Sequence, residues 1–167
     1  YHVLETARKA SVKRLVLASS GQVNWFRKQT GPWPIDEHTP VSPRSWYAAT
    51  KMFLESIGYS YSVTHGMSVI VGRLGWCPRD EGQVNEISAE EHFQDVYLSP
   101  GDAGRFFACA VEAPHEISHA TLFPTSNPIH TTRYDLTPAK ELIGYEPQEQ
   151  WPEGTEIVMG RRWNEEQ

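Results

Sequence analysis

Apolar positions along this chain recur with two different periods. In YHVLETARKASVKRLVLASS, Val3, Leu4, Ala7 and Ala10 keep helical spacing, and residues 13–18 then form an apolar run of strand length. A second such run, MSVIVGRLG, covers residues 67–75, and HATLFPTS is a third strand candidate. Between the first two runs, residues 21–43 are polar and punctuated by Gly31, Pro32, Pro34, Pro40 and Pro43, which predicts a long surface loop. Ser42 and Pro43 then offer an N-cap and a first-turn residue for a helix to about Tyr61, with Met52, Phe53, Leu54 and Ile57 available for burial. A mixed loop is predicted from the second run through Glu91. After it, YLSPGDAGRFFACAVEAP predicts a short strand and a helix that Ser99 and Pro100 start and that runs to about Ala113. A last helix, Thr137–Ile143, is closed by Gly144 and Pro147. Alternating strands and helices predict an α/β protein with a largely parallel sheet.

Composition narrows the function classes. With 167 residues, 39% hydrophobic and 22% charged, the chain fits one soluble domain with a real core. A net charge of −6 and a pI near 5.6, without a basic stripe, exclude a nucleic-acid surface and binding to an anionic membrane. Small molecules or other proteins are the expected partners. Two distant cysteines, Cys77 and Cys109, in a chain of this size favour a reduced, cytoplasmic protein. No apolar run approaches 18 residues and no charged-then-apolar leader opens the chain. The first residue is Tyr1, inside a predicted helix, as expected of a processed chain or one segment of a longer protein.

Chemistry concentrates around SWYAATKMF, residues 45–53. Tyr47 and Lys51 are four residues apart, so on a helix they share a face and can serve one site. A phenol ordinarily keeps its proton until about pH 10, and an adjacent cation favours the phenolate. Upstream, Ser19 and Ser20 follow the first buried strand, at the carboxyl end where parallel α/β sheets bind ligands. Each residue alone also has a plain structural reading: turn chemistry for Ser20, an amphipathic helix with a snorkelling lysine for Tyr47 and Lys51.

Together, KRLVLASSG, SPRSWYAATKMFLE, VIVGRLGWCPR, YLSPGDAGRFF and ELIGYEP, in that order, resemble the extended short-chain dehydrogenase/reductase superfamily and its NAD-dependent epimerase/dehydratase family. Lengths and the RLGWCPR segment look most similar to uronate-dehydrogenase-like members. The resemblance implies the C-terminal part of a Rossmann-like doubly wound sheet. Residues 1–75 would be the second half of the Rossmann-like domain and 76–167 a short substrate-binding region packed on it. It implies NAD, with NADP as the other option, and reaction at a secondary alcohol of a sugar or sugar derivative, by a dehydrogenase, epimerase or dehydratase. Tyr47 would be the acid/base, Lys51 would hold the nicotinamide ribose and favour the Tyr47 phenolate, and Ser20 would hold the substrate oxygen. Ala18, Ser19, Gly75, Trp76 and Cys77 would line the cofactor side, and Gly21, Gln22, Trp76 and Arg79 the substrate side. A homodimer through the Tyr47 helix is implied as well.

The chain also departs from that family. It has no glycine-rich turn between a first strand and helix to receive a pyrophosphate, and no residue after a second strand to choose between NAD and NADP. GDAG, residues 101–104, precedes a helix but reads as helix-start chemistry. The N-terminal cofactor-binding part is therefore expected outside this chain, and the isolated 167 residues are expected to bind dinucleotide poorly and to turn over little. Gly21 and Gln22 stand where uronate-oxidising members carry asparagine and histidine, and Trp76 where they carry a small hydroxyl residue. Arg79 could meet a carboxylate or sit in a surface salt bridge. Two alternatives come from other classes: a non-catalytic fold remnant serving as an interaction module, and a zinc hydrolase through HEISH, residues 115–119. The zinc site needs that motif inside a helix, whereas Pro114, Ile117 and Ser118 disfavour one. His2, His38, His65, His92 and His130 have no ligand spacing.

Overall fold

The computed structural model describes residues 1–156. The last part of the predicted 76–167 region, residues 157–167, lies outside the described residues. Helix α1 (His2–Lys9) leads into β1 (Arg14–Ser20), a single 3-10 turn (Gly21–Asn24) and the short α2 (Trp25–Thr30). Helix α3 (Trp46–His65) and β2 (Ser68–Leu74) follow, then α4 (Glu81–Ala89) and α5 (Glu91–Gln94). Helix α6 (Pro100–Glu112), β3 (His119–Leu122) and α7 (Thr137–Ile143) complete the described part.

The three strands form one parallel sheet in the order β1-β2-β3, as the alternating pattern predicts. Parallel strands need both faces covered, and the burial pattern of β2 shows how that is met. Val69 and Val71 pack with Leu4, Leu17, Tyr61 and Met67, under α1 and α3. Ile70 packs with Phe106, Ala110, Leu122, Ile143 and Tyr145, under α6 and α7. Helix α3 lies close on the sheet because Gly58 faces it: a Cβ there would come within 2.6 Å of Leu17 and 3.2 Å of Val69.

Several elements differ from the sequence reading. Residues 21–43 are not a surface loop throughout, since they contain the 3-10 turn and α2 and bury Val23, Asn24, Lys28 and Ile35. Apolar residues too widely spaced to show a period still fill this layer. The predicted loop after β2 holds α4, whose single buried residue, Ile87, leaves little periodic signal. Helix α3 starts at Trp46 rather than beside Ser42. Ser42 keeps its backbone N–H on the Val23 carbonyl at 2.7 Å, so the chain stays extended until Ser45, whose Oγ accepts from the Ala48 N–H at 3.1 Å. Phe53, expected to be buried, is exposed, and the sheet side of α3 buries Ala48, Gly58, Tyr61 and Ser62. Helices α6 and α7 match their predicted starts, with Ser99 Oγ accepting from the Asp102 N–H at 3.0 Å.

Candidate active site

The parallel register sets Ser20 beside Leu74, so β1 and β2 end level with one another and Ser19, Ser20 and residues 74–77 share one edge. Beyond β2 the chain is held from two sides. The Gly75 N–H donates to the Pro124 carbonyl at 2.9 Å, and Trp76 exchanges bonds with the Val96 carbonyl (2.7 Å) and the Leu98 N–H (3.0 Å). Tyr47, second residue of α3, stands over the same edge. Together they frame an open cavity of about 570 Å³. Ser19, Ser20, Gly21, Gln22, Tyr47, Gly75, Trp76, Cys77 and Arg79 all line it.

Ala18 and Lys51 do not line the cavity; they bond to each other. Lys51 Nζ donates to the Ala18 carbonyl at 2.7 Å and lies 5.4 Å from the centre of the Tyr47 ring. One of its three donors is thereby used, which fixes the ammonium beside the phenol. Ser20 Oγ accepts from the Gln22 N–H at 3.2 Å, leaving its hydroxyl proton to donate elsewhere. Ser20 is nearly buried and Tyr47 is half exposed, so the serine forms the floor and the tyrosine the rim.

A buried ion pair holds these parts in place. Glu55, one turn beyond Lys51 on α3, accepts from Arg73 Nη2 of β2 at 2.8 Å and from Arg73 Nε at 3.0 Å. Ser19 Oγ donates to the same carboxylate at 2.5 Å, and Arg73 Nη1 donates to Asn24 Oδ1 at 3.1 Å. The guanidinium also faces the Phe123 ring at 5.3 Å. Helix α3, β1, β2 and the 3-10 turn thus meet at one bidentate pair, which sets the angle at which α3 presents Tyr47.

Gly21, Trp76, Cys77 and Arg79 on the cavity wall are shaped by neighbours that the sequence reading did not include. A Cβ on Gly21 would overlap the Tyr134 hydroxyl, so Tyr134 fills the space that a side chain at position 21 would take. Burial pushes the Tyr134 phenol well above its ordinary range. Trp76 donates its indole N–H to Gln83 Oε1 at 3.3 Å and meets the Phe93 ring edge-on at 4.8 Å. Burial also pushes the Cys77 thiol up, partly opposed by Arg79. The Arg79 side chain is exposed and has no ion pair among the described residues. Trp25 and Lys28 of α2 line the cavity too. The WF pair opening α2, embedded in polar sequence, was the one hint of a packed segment there.

HEISH forms no helix: His119 begins β3, and residues 115–118 lie in the preceding turn. Burial lowers the His119 pKa, and its ring meets Tyr59 edge-on at 5.2 Å. Among the described residues no three His, Cys, Asp or Glu side chains cluster as a metal site, so the geometry that the zinc-hydrolase alternative needs is not present.

Residues 1–76 match the model of the NAD dependent epimerase/dehydratase family. L-arabinose 1-dehydrogenase (NAD(P)(+)) of Haloferax volcanii is 29% identical over 164 residues, which covers 89% of this chain and 64% of that protein. Uronate dehydrogenase of Pseudomonas syringae pv. tomato is 28% identical over 128 residues, 76% of this chain and 42% of that protein. A solved mutated uronate dehydrogenase aligns with a TM-score of 0.70 at 27% identity, over 95% of this chain and 53% of its own. The chain thus spans less than two thirds of each. By these matches the chain is similar to an arabinose dehydrogenase and to uronate dehydrogenases, and its first 76 residues carry the pattern of the NAD dependent epimerase/dehydratase family.

Proposed function

We propose that this chain is the catalytic-side part of an NAD(P)-linked oxidoreductase that oxidises a secondary alcohol of a sugar. The observation that carries the reading is that Ser20 and Tyr47 line one cavity at the carboxyl ends of β1 and β2, with the Lys51 ammonium held against the Tyr47 ring by the Ala18 carbonyl. The arabinose and uronate dehydrogenases among its relatives support the substrate class.

The residues present suit one end of a dinucleotide. Among the described residues Lys51 uses one of its three donors, leaving two for ribose hydroxyls, and Gly75, Trp76 and Cys77 supply a wall of mixed polarity. Among the described residues no glycine-rich turn opens a helix toward this cavity, so the pyrophosphate finds no cradle in them. Bound there, NAD(P) supplies the hydride acceptor. Ser20 donates its free hydroxyl proton to the substrate oxygen and orients the reacting carbon. Tyr47 takes up the alcohol proton, with Lys51 stabilising the phenolate. The buried Arg73–Glu55 pair keeps α3, and with it Tyr47, in register with Ser20. The same reading includes self-association through the side of α3 turned from the sheet, where Trp46, Phe53, Tyr59 and Val63 are exposed.

The test is steady-state oxidation of a panel of aldoses and sugar acids with NAD⁺ or NADP⁺ by the whole oxidoreductase of which this chain is the proposed part, and by its Tyr47→Phe variant. Turnover lost in the variant by at least about 100-fold, with NADH binding by fluorescence unchanged, is the expected result. Normal turnover in Tyr47→Phe removes the acid/base role. Absence of both turnover and NADH binding in the unaltered protein favours the interaction-module reading.

A further inference from the structure

Lys28 of α2 is 5% exposed, yet among the described residues its ammonium has neither an ion-pair partner nor a hydrogen-bond acceptor. It lies 4.5 Å from the centre of the Trp25 ring and 5.9 Å from that of Phe93, and it lines the cavity that Ser20 and Tyr47 share. A cation so little exposed and without a counter-ion is costly even where its ammonium keeps some contact with solvent, and aromatic faces offset only part of the lost hydration. The nearby positive group is already committed. Arg133 donates from Nε to Asp95 at 3.2 Å and from Nη1 to the Lys28 carbonyl at 3.0 Å. The charged side chains lining the cavity are therefore Lys28, Arg79 and the exposed Glu86, an excess of one positive charge.

We propose that Lys28 is the specificity-determining residue of the cavity, and that it receives an anionic substituent, a carboxylate or a phosphate, on the sugar whose alcohol faces Tyr47. The proposal rests on the reading of this cavity as a sugar site and deepens it by naming the charge of the substrate. The incoming anion supplies the counter-ion that the described residues do not, while Trp25 and Phe93 offer flat apolar surface beside it. Arg79, the cation picked out by sequence, stands on the exposed side, where water already solvates it and a bound anion gains less. Burial, and next the charge of Arg133, bring the Lys28 ammonium down to about 8, so at neutral pH it still carries the charge needed.

The protein has five lysines, few enough for lysine labelled with ¹³C at Cε to report each by NMR, with Lys28→Met assigning the signal. D-glucuronate, D-glucose 6-phosphate and D-glucose are added in turn. A saturable Lys28 shift with one or both acids and none with D-glucose is expected, and the acid that acts distinguishes carboxylate from phosphate. Lys28→Met should weaken binding of that acid by about 10- to 100-fold and Arg79→Met by far less. No response of Lys28 to either acid, an equal response to D-glucose, or full acid affinity in Lys28→Met overturns the proposal. The wild-type spectra decide even if the variant folds poorly. Turnover of any sugar, lost in Tyr47→Phe, reads the proposed function separately: a Lys28 response without turnover removes the enzyme reading alone, and turnover without a Lys28 response removes the anion site alone.

Discussion

Burial, and next the charge of Arg133, make Lys28 bind its proton less firmly than a free lysine does. Its ammonium titrates near 8 in the folded protein against 10.5 ordinarily. Between these values the unfolded chain holds more protons than the folded one, so stability rises as pH passes from about 8 to about 10.5. Below 8 the folded state bears the whole cost of the buried charge, a few kcal/mol, since each tenfold weakening of proton binding is worth about 1.4 kcal/mol. Urea midpoints of the protein should therefore rise across that window relative to those of Lys28→Met. Parallel pH profiles of the two would remove the buried-charge argument. That Ser20 ends a strand and that Lys51 lies beside Tyr47 on one helix could be read from sequence because strand ends and helical spacing are local properties. Lys28 could not: a lysine in a polar stretch reads as solvated, and its burial depends on Phe93 and Arg133, which lie 65 and more positions along the chain.

At the scale of elements, the site depends on the first turn of α3. Ser45 caps it, and Tyr47 is its second residue, so fraying there moves the rim of the cavity directly. Ser45→Ala should cost about 1 kcal/mol of stability in urea unfolding. It should lower turnover more than that loss explains, and Ser45→Asp should restore both. Equal turnover in Ser45→Ala would show that the rest of α3, anchored by Glu55 and Arg73, suffices to hold Tyr47. Caps also explain which helices are legible. Ser99 with Pro100, and Gly144 after Ile143, announce α6 and α7. Helix α4 carries a comparable signal in Asp80, whose Oδ1 accepts from the Gln83 N–H at 2.9 Å, but with one buried residue behind it the apolar pattern is too sparse. Local sequence puts the start of α3 at Ser42 because Ser-Pro is a good helix opening; the long-range bond from Ser42 to Val23 decides otherwise.

For the whole molecule, the sheet and its two helical layers are legible from alternation alone, while the cavity needs the packing of segments far apart in sequence. The exposed Trp46, Phe53, Tyr59 and Val63 on α3 give the self-association reading a direct check. Sedimentation equilibrium should show a dimer for the protein and a monomer for Trp46→Glu/Phe53→Glu, whereas a dimer in both would move the interface elsewhere. The strand order β1-β2-β3 has a last consequence. Strand β1 pairs on one side only among the described residues, so its other row of backbone donors and acceptors is a ready seam. A parallel strand zipped onto that seam would finish level with Ser19 and Ser20, and the loop after it would hang over the mouth framed by Tyr47 and Trp76. The margin of β1 is thus an address from which a phosphate-gripping turn could reach this cavity.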